Sequence, residues 1–432
     1  MTISLATDTR VAVFGYGVEG RSALAWLSRV GVGDVRVISA TRPAELHADV
    51  PWADETRLEA ALDGVELLVK SPGIKPSHPL LVEAGRRGVA IVSSTTLFLD
   101  RVREAGLAVI GVTGSKGKST TATLIAKTLD AASIPNVLVG NIGTACLDLV
   151  ESAVSNRPVV VFELSSYQTH DLTLGPTVAV ITRLFPEHLD WHGGVDAYYR
   201  DKLRIAATQR PDDVTIWNAS DPELIRRAPF GPAKHVPYGD GPPRFSDAGM
   251  LLRGPHNHQN ATAALTAAEL FGAGPSHLEQ VLTTFAGLPH RLEDLGSFGG
   301  VRWINDSIST APEAAVAALD AFGGEVSTYI GGGTDRGFDF APLARALVAR
   351  AIPHVILLPP GGAAIREALA AADRAAAGRS TLVADLAEAV ALAAQVAPKG
   401  STVLFSPASP SYGTFRNFEE RGNALRLLVL GL

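Results

Sequence analysis

Gly-Val-Thr-Gly-Ser-Lys-Gly-Lys-Ser-Thr-Thr, residues 111–121, comes straight after the apolar run Leu107-Ala-Val-Ile110. A strand that runs into a glycine turn, with Lys118 and Ser119 opening a helix, aims backbone N–H groups and a helix N-terminus at one point, which suits a phosphate. The segment therefore predicts an α/β sheet that handles a nucleotide triphosphate. The spacing falls short of G-x-x-x-x-G-K-[ST], because Val112 stands where the first glycine belongs. A plain glycine-rich turn with a solvated lysine is the other reading. Gly114, Gly117, Lys118 and Ser119 together meet the steric and charge needs of phosphate.

A second phosphate-type turn lies upstream. Arg10-Val-Ala-Val-Phe14 reads as a buried strand, followed by Gly15-Tyr-Gly17-Val-Glu-Gly20 and a helical pattern from Arg21. This is the βα context that a dinucleotide fingerprint requires. The next strand, Val35-Arg-Val-Ile38, ends in Ser39-Ala-Thr41-Arg42 and lacks the acid that would hold a ribose diol. Thr41 and Arg42 suit a phosphate or another nucleotide's head instead.

The 432 residues suggest on the order of three domains. Hydrophobic residues make up 46%, charged residues 19% and aromatic residues 6%, an ordinary globular composition; the net charge is −6. No Lys/Arg-dense patch marks a nucleic-acid binder. The single cysteine, Cys146, excludes an internal disulfide and a cysteine-rich zinc site. Neither a signal-like start nor an apolar run of ~18 residues is present, so the expected location is the cytoplasm, away from membranes.

Along the chain, short apolar runs alternate with helical patterns, which predicts mainly parallel sheets. The first segment adds strands at 65–70 and 89–92, a turn at Ser71-Pro-Gly-Ile74, and closes near Asp100. The second adds strands at 137–139, 159–162, 178–181 and 214–217, then helices at 257–271 and 278–285. The third, from about 293, carries strands at 301–304, 326–330, 355–358 and 402–405; glycines 331–333 follow one strand, and the Ala-rich run 363–377 reads as a surface helix.

Glu163 ends a strand in the same predicted sheet as the phosphate loop, where a carboxylate can hold Mg²⁺ against phosphates. Glu187-His188-Leu-Asp190-Trp-His192 offers several ligands without a zinc spacing, so metal binding and loop polarity both stay open. Read alone, Lys202 is a solvated helix lysine. Asn257 and Asn260 start a helix, where Asn is a good cap. Asp306 is either a turn-former or a ligand.

The ordered blocks GSKGKST, GNIG at 140–143, ELSS at 163–166, EHLDWH at 187–192, DKLRI at 201–205, HNHQN at 256–260, LPHR at 288–291, NDS at 305–307 and RNFEERG at 416–422 resemble the Mur ligase family over almost the full chain. Within it, the chain looks most like the branch that adds glutamate to UDP-N-acetylmuramoyl-L-alanine. The resemblance implies three α/β domains: a Rossmann-like UDP-substrate domain at 1–103, a central ATPase-type, mainly parallel sheet at 104–292, and a Rossmann-like amino-acid domain at 293–432. It also implies ATP, Mg²⁺ at two sites, an acyl-phosphate intermediate and a monomer. Ser115, Lys116 and Thr120 join the phosphate residues. Lys118, Glu163, His188 and Lys202 match catalytic positions; Ser119, Glu163, His188 and Lys202 match metal-site positions, with Lys202 carbamylated. Asn260, Arg291 and Asp306 match adenine, phosphate and ribose contacts. Gly17, Val18, Thr41, Arg42, Ser71, Gly73 and Asn141 match UDP-substrate contacts, and Thr310, Arg336, Ser411 and Phe418 surround the incoming glutamate.

Departures concentrate in the third segment. The family's Asp-Ser-Lys-Ala-Thr-Asn becomes Asp306-Ser-Ile308-Ser-Thr310-Ala311, and Arg336 stands for a lysine, which changes how two carboxylates are held. Ile308 and Ala311 favour the L-glutamate variant over the D-glutamate one. Lys116 replaces an Asn, and Ser93-Ser-Thr-Thr96 replaces a more acidic segment. Two other classes are an NADP-linked oxidoreductase, which leaves the second phosphate turn unexplained, and a nucleotide switch, which gives the first domain no role.

Overall fold

The computed structural model describes residues 6–142, 144–252 and 254–432. The first five residues, and Gly143 of the block at 140–143, lie outside them. The chain forms two compact units, one of residues 1–250 with 255–283, the other of 251–254 with 284–432.

The first unit holds two sheets. Strands β1 (Val11–Phe14), β2 (Val35–Ser39), β3 (Trp52–Asp54), β4 (Leu67–Lys70) and β5 (Ala90–Ser93) stand in the order β3-β2-β1-β4-β5, all parallel. β1 and β4 are apolar and buried at every residue but for Lys70's charge, as central parallel strands covered on both faces must be. Strand order reverses at β1, so a crevice opens beyond the carboxyl ends of β1 and β4. The Gly15–Gly20 turn and Ser71 sit there, and Ser71 Oγ donates to the Gly15 carbonyl at 3.2 Å.

The second sheet comprises β6 (Val109–Thr113), β7 (Asn136–Gly140), β8 (Val159–Glu163), β9 (Val178–Ile181), β10 (Val214–Asn218) and β11 (Lys234–Tyr238), in the order β11-β10-β9-β6-β8-β7. All its pairings are parallel. β6 lies between β9 and β8, so the phosphate loop leaves the sheet at its own reversal point. Glu163, opposite Val112 in register, stands beside that exit.

One hydrophobic core serves both sheets. It takes Val11, Val13 and Val69 from the first, Val109, Phe162 and Ile181 from the second, and adds Trp26, Phe98 and Tyr198. Phe98 meets Phe162 edge-on at 5.3 Å. Polar ties reinforce the joint: Ser22 Oγ donates to Asp148 at 2.7 Å, and Arg103 Nη2 spans both Asp213 oxygens at 3.0 and 2.9 Å.

The second unit holds β12 (Glu293–Phe298), β13 (Val301–Asn305), β14 (Val326–Gly332), β15 (His354–Leu358), β16 (Ser380–Leu382) and β17 (Thr402–Phe405), ordered β12-β13-β17-β14-β15-β16. β12 runs antiparallel to β13; the remaining pairs are parallel. Apolar residues pack on both sheet faces, with Tyr329 and Leu404 on one side and Trp303, Ile330 and Phe405 on the other.

Several expectations need correction. Gly331 and Gly332 belong to β14 rather than following it; a Cβ on Gly332 would come within 2.2 Å of the Leu358 carbonyl oxygen. The Ala-rich run is two helices, Gly362–Ala372 and Arg374–Gly378, because Asp373 turns extended and caps Ala375 N–H at 2.8 Å. Its apolar face, Ile365, Leu369 and Ala376, is buried. The expected close of the first segment near Asp100 falls inside the helix Ser94–Glu104. β3, β11, β12 and β16 carried no apolar run long enough to announce them.

Candidate active site

β6 delivers the chain to Gly114, and Gly117 caps the helix Lys118–Ala131. Gly117 has φ +90°, and a Cβ there would lie 2.4 Å from Asn260 Oδ1. Only glycine fits so tight a left-handed turn. The helix N-terminus behind it presents its first N–H groups and positive dipole end to the loop.

Side chains fix the loop from below. Ser115 Oγ meets Tyr198 Oη at 2.8 Å and accepts the Phe185 N–H at 3.0 Å. Lys118 Nζ folds back to the Ser115 carbonyl at 2.9 Å, and Lys116 pairs with Glu187 at 3.1 Å. Thr120 is buried in the first helical turn. Asn260 accepts from Thr121 Oγ1 at 3.3 Å and donates to Asn257 Oδ1 at 2.9 Å. Neither asparagine caps a helix: both lie inside Pro255–Glu269, on the turns facing the loop.

Glu163 is 0% exposed. Its Oε1 accepts from Ser119 Oγ at 3.1 Å and from Asn141 Nδ2 at 3.2 Å, while Oε2 is buried without a hydrogen-bond partner. A carboxylate oxygen left bare in that setting is costly unless a cation completes it. Ser119, Glu163 and incoming phosphate oxygens therefore fit Mg²⁺, which takes one or two protein oxygens beside phosphates and water. Among the described residues, no group of three or more His, Cys, Asp or Glu gathers as a metal cage.

Lys202, read alone as solvated, is 2% exposed. Its Nζ donates to the Gly114 carbonyl at 2.6 Å. Burial, then the charge of Lys118, push the amine's pKa well below the lysine range, and Glu187 and Glu163 only partly oppose this. His188, at φ +54°, opens the short helix Leu189–His192 and lies 5.1 Å from the Tyr167 ring, within the fields of Lys202 and Lys118.

At the first turn, Gly17 and Val18 are exposed. Arg42 Nη2 donates to the carbonyls of His47, Ala48 and Val50, so this guanidinium anchors its own loop. The Thr41 carbonyl accepts from Ser39 Oγ at 2.8 Å. Gly73 offers its carbonyl to Trp191 Nε1 at 2.9 Å, which ties the first turn to the His188 segment. Asn141 bonds Glu163 through its Nδ2 at 3.2 Å and so lies beside the phosphate loop.

The second unit builds its own cluster. Asp306 Oδ1 accepts the Leu292 N–H at 3.1 Å, and Oδ2 accepts from Ser309 at 2.5 Å and Ser406 at 2.7 Å. Burial pushes its pKa up to about 6, against those hydrogen bonds and the pull of Arg291. Arg336 lies over the Tyr412 ring at 5.3 Å. Ser411 is buried and Thr310 half-buried, while Phe418 opens the helix Phe418–Leu430 with its carbonyl accepting Ser307 Oγ at 2.8 Å. Sequence reasoning missed Arg421. Fully buried, it donates to the carbonyls of Ser307 and Ser409 and to Ser307 Oγ, binding these loops together. Only its place in the RNFEERG block hinted at a role.

Comparison with known proteins follows the same lines. Residues 112–244 match the Mur ligase middle domain and residues 290–409 the Mur ligase glutamate ligase domain. The UDP-N-acetylmuramoyl-L-alanine–L-glutamate ligase of Salinispora tropica is 39% identical, over 99% of each chain. The UDP-N-acetylmuramoylalanine–D-glutamate ligase of Symbiobacterium thermophilum is 38% identical, over 98% of each. Among solved structures, the UDP-N-acetylmuramate–alanine ligase of Thermotoga maritima shares the fold at TM-score 0.59 and 17% identity, covering 96% of this chain and 98% of that one. The phosphate loop beside a bare buried carboxylate, the three sheets and full-length likeness converge: the chain belongs to the Mur ligase family.

Proposed function

We propose that the protein is an ATP-dependent ligase that joins L-glutamate to UDP-N-acetylmuramoyl-L-alanine in peptidoglycan precursor synthesis. The observation that carries this is the buried Glu163 Oε2, without a partner, next to Ser119 and the Lys118 loop. Strong likeness to relatives named for L-glutamate favours that enantiomer. A relative named for D-glutamate at 38% identity keeps D-glutamate as the second reading.

On this reading residues 1–103 hold the UDP substrate, 104–292 ATP and 293–432 the amino acid, in a cytoplasmic monomer. A carboxylate oxygen of the nucleotide substrate attacks the γ-phosphorus of ATP, and ADP leaves. The glutamate amine then attacks the acyl-phosphate carbonyl, the C–N bond forms, and phosphate departs from the tetrahedral intermediate. Lys118 and the N–H groups from Gly117 onward balance charge on the transferring phosphoryl group. Bound by Ser119 and Glu163, Mg²⁺ supplies charge neutralisation and alignment of the phosphate oxygens. Lys202, whose amine burial pushes well below the ordinary lysine pKa, is able in its unprotonated form to add CO₂ and release a proton; the resulting carbamate would give the site an anion for a second cation beside His188. Asn260, Arg291 and Asp306 bind the nucleoside and phosphates; Thr310, Arg336, Ser411 and Phe418 hold the glutamate. Gly17, Val18, Thr41, Arg42, Ser71, Gly73 and Asn141 receive the UDP substrate.

The test incubates the protein with ATP, Mg²⁺ and UDP-N-acetylmuramoyl-L-alanine, with L- or D-glutamate in separate reactions, and measures amide product by mass and phosphate release. Product with L-glutamate is expected. Its absence with both enantiomers refutes the assignment, and faster reaction with D-glutamate selects the second reading. Lys118→Ala is expected to abolish phosphate release.

A further inference from the structure

We propose that His192 is a positioning residue that locks together the three chain segments carrying Glu163, His188 and Lys202. The inference rests on the reading of those residues as one cation and phosphate site. The His192 side chain is 0% exposed, so substrate cannot reach it. Its Nδ1 lies 2.6 Å from Asp201 Oδ2 and its Nε2 3.0 Å from Ser166 Oγ. A carboxylate only accepts, so Nδ1 carries the proton and Nε2 accepts from the Ser166 hydroxyl. His170 Nδ1 reaches the same Asp201 oxygen at 3.0 Å.

Each arm ends next to a site residue. Ser166 opens the helix Ser166–His170 just beyond Glu163; His192 closes Leu189–His192, which His188 begins; Asp201 directly precedes Lys202 in Val195–Ala207. One imidazole therefore sets the mutual register of three segments that are separate in sequence. Ser, His and Asp in this order resemble a hydrolytic triad, but Ser166 is 2% exposed and has no path to a substrate.

The short helix needs such a lock. Leu189–His192 is a single turn, and so short a helix does not hold itself in water, because nucleation costs more than its hydrogen bonds return. His188 before it and Gly193 and Gly194 after it all have positive φ, and nothing lies within 4 Å of a Cβ built on either glycine. Side chains must fix it instead. The His192 ring lies parallel to Tyr167 at 5.8 Å, meets Trp191 at 4.5 Å, and has Tyr198 edge-on at 5.2 Å. Tyr198 in turn bonds Ser115 of the phosphate loop, so the lock extends to the loop itself.

The test compares full-length wild type with His192→Phe, which keeps a ring but loses both hydrogen bonds, with His192→Gln, which restores an N–H donor, and with Ser166→Ala. Three readouts are taken: kcat, Mn²⁺ affinity in the presence of ADP by electron paramagnetic resonance, and amide hydrogen exchange over 187–194 without nucleotide. His192→Phe is expected to lower kcat and Mn²⁺ affinity about 10–100-fold, as loss of an outer hydrogen-bond partner does. Exchange over 187–194 speeds up, while KM for glutamate stays near wild type. His192→Gln recovers part of each loss, and Ser166→Ala falls between wild type and His192→Phe. Should His192→Phe not fold, Ser166→Ala carries the test with the same signs. Wild-type kcat, Mn²⁺ affinity and exchange in the folded variants overturn the proposal, as does a Gln variant no better than Phe. A wild-type protein that binds no Mn²⁺ with ADP overturns the reading of the site instead.

Discussion

The amine of Lys202 donates to the carbonyl oxygen of Gly114 at 2.6 Å, joining the helix Val195–Ala207 to the first residue of the phosphate turn. Burial and Lys118 hold that amine's pKa well below its ordinary value. Between the folded and unfolded pKa values the unfolded chain binds more protons, so stability rises with pH across that window. Lys202→Met should remove this slope, and its gain over wild type should be largest at the low-pH end. Urea midpoints measured on the uncarbamylated protein in CO₂-free buffer, from mildly acidic pH up to the ordinary lysine range at about 10.4, check it. Phosphate release by the same variant is expected to fall on the order of 10²-fold or more.

Glu163→Gln keeps the shape of the side chain and an oxygen for Ser119, but removes the charge that a cation needs. Its kcat should fall on the order of 10²-fold or more. The melting temperature should hold or rise, because a buried charge with one bare oxygen is replaced by a neutral amide. Turnover near wild type in a folded variant would show that Glu163 holds no metal.

At Gly117, an alanine methyl meets Asn260 Oδ1 at 2.4 Å in a backbone with φ +90°. Strain of this kind costs about 1–3 kcal/mol. The variant should melt lower and bind ADP more weakly, as read by calorimetric titration. Adding Asn260→Ala relieves the clash but leaves the strained φ, so it should recover only part of the stability.

Asp306 gives the second unit a pH signature. Its pKa is raised from 3.8 to about 6. The folded state thus binds the proton more tightly than the unfolded one. The stabilisation is full below 3.8 and is lost as pH rises through about 6. That difference corresponds to about 3 kcal/mol, and Asp306→Asn should abolish that slope in urea unfolding followed by tryptophan fluorescence.

Much of the site was legible because phosphate chemistry leaves a local imprint. Gly114 to Thr121 lie within one turn and one helix, and Glu163 ends an apolar strand. Lys202 was legible only through likeness. Its neighbours in sequence look like those of any solvated helix, and its burial comes from Gly114, far away in the chain. Capping, offered for one of Asn257 and Asn260, holds for neither, since Asn260's contact with Thr121 beside the phosphate loop overrides local preference. Short edge strands such as β3 and β16 escaped because three residues carry no usable period, and the glycines of β14 were placed outside their strand because close strand packing is invisible locally. Arg421 and His192 act by bonding several loops at once, which no single segment records.

A single core under both sheets of the first unit has a metric consequence. Val69 and Val109 belong to one packed body, so the gap between the Gly15 turn and the Gly114 turn is set by side-chain volume and not by a hinge. On the proposed reading the enzyme is a gauge: a nucleotide sugar anchored at the first turn presents its carboxylate to the second only if its own length matches the gap. A core substitution at Phe98 or Phe162 would then recalibrate substrate length from a distance, without touching either ligand.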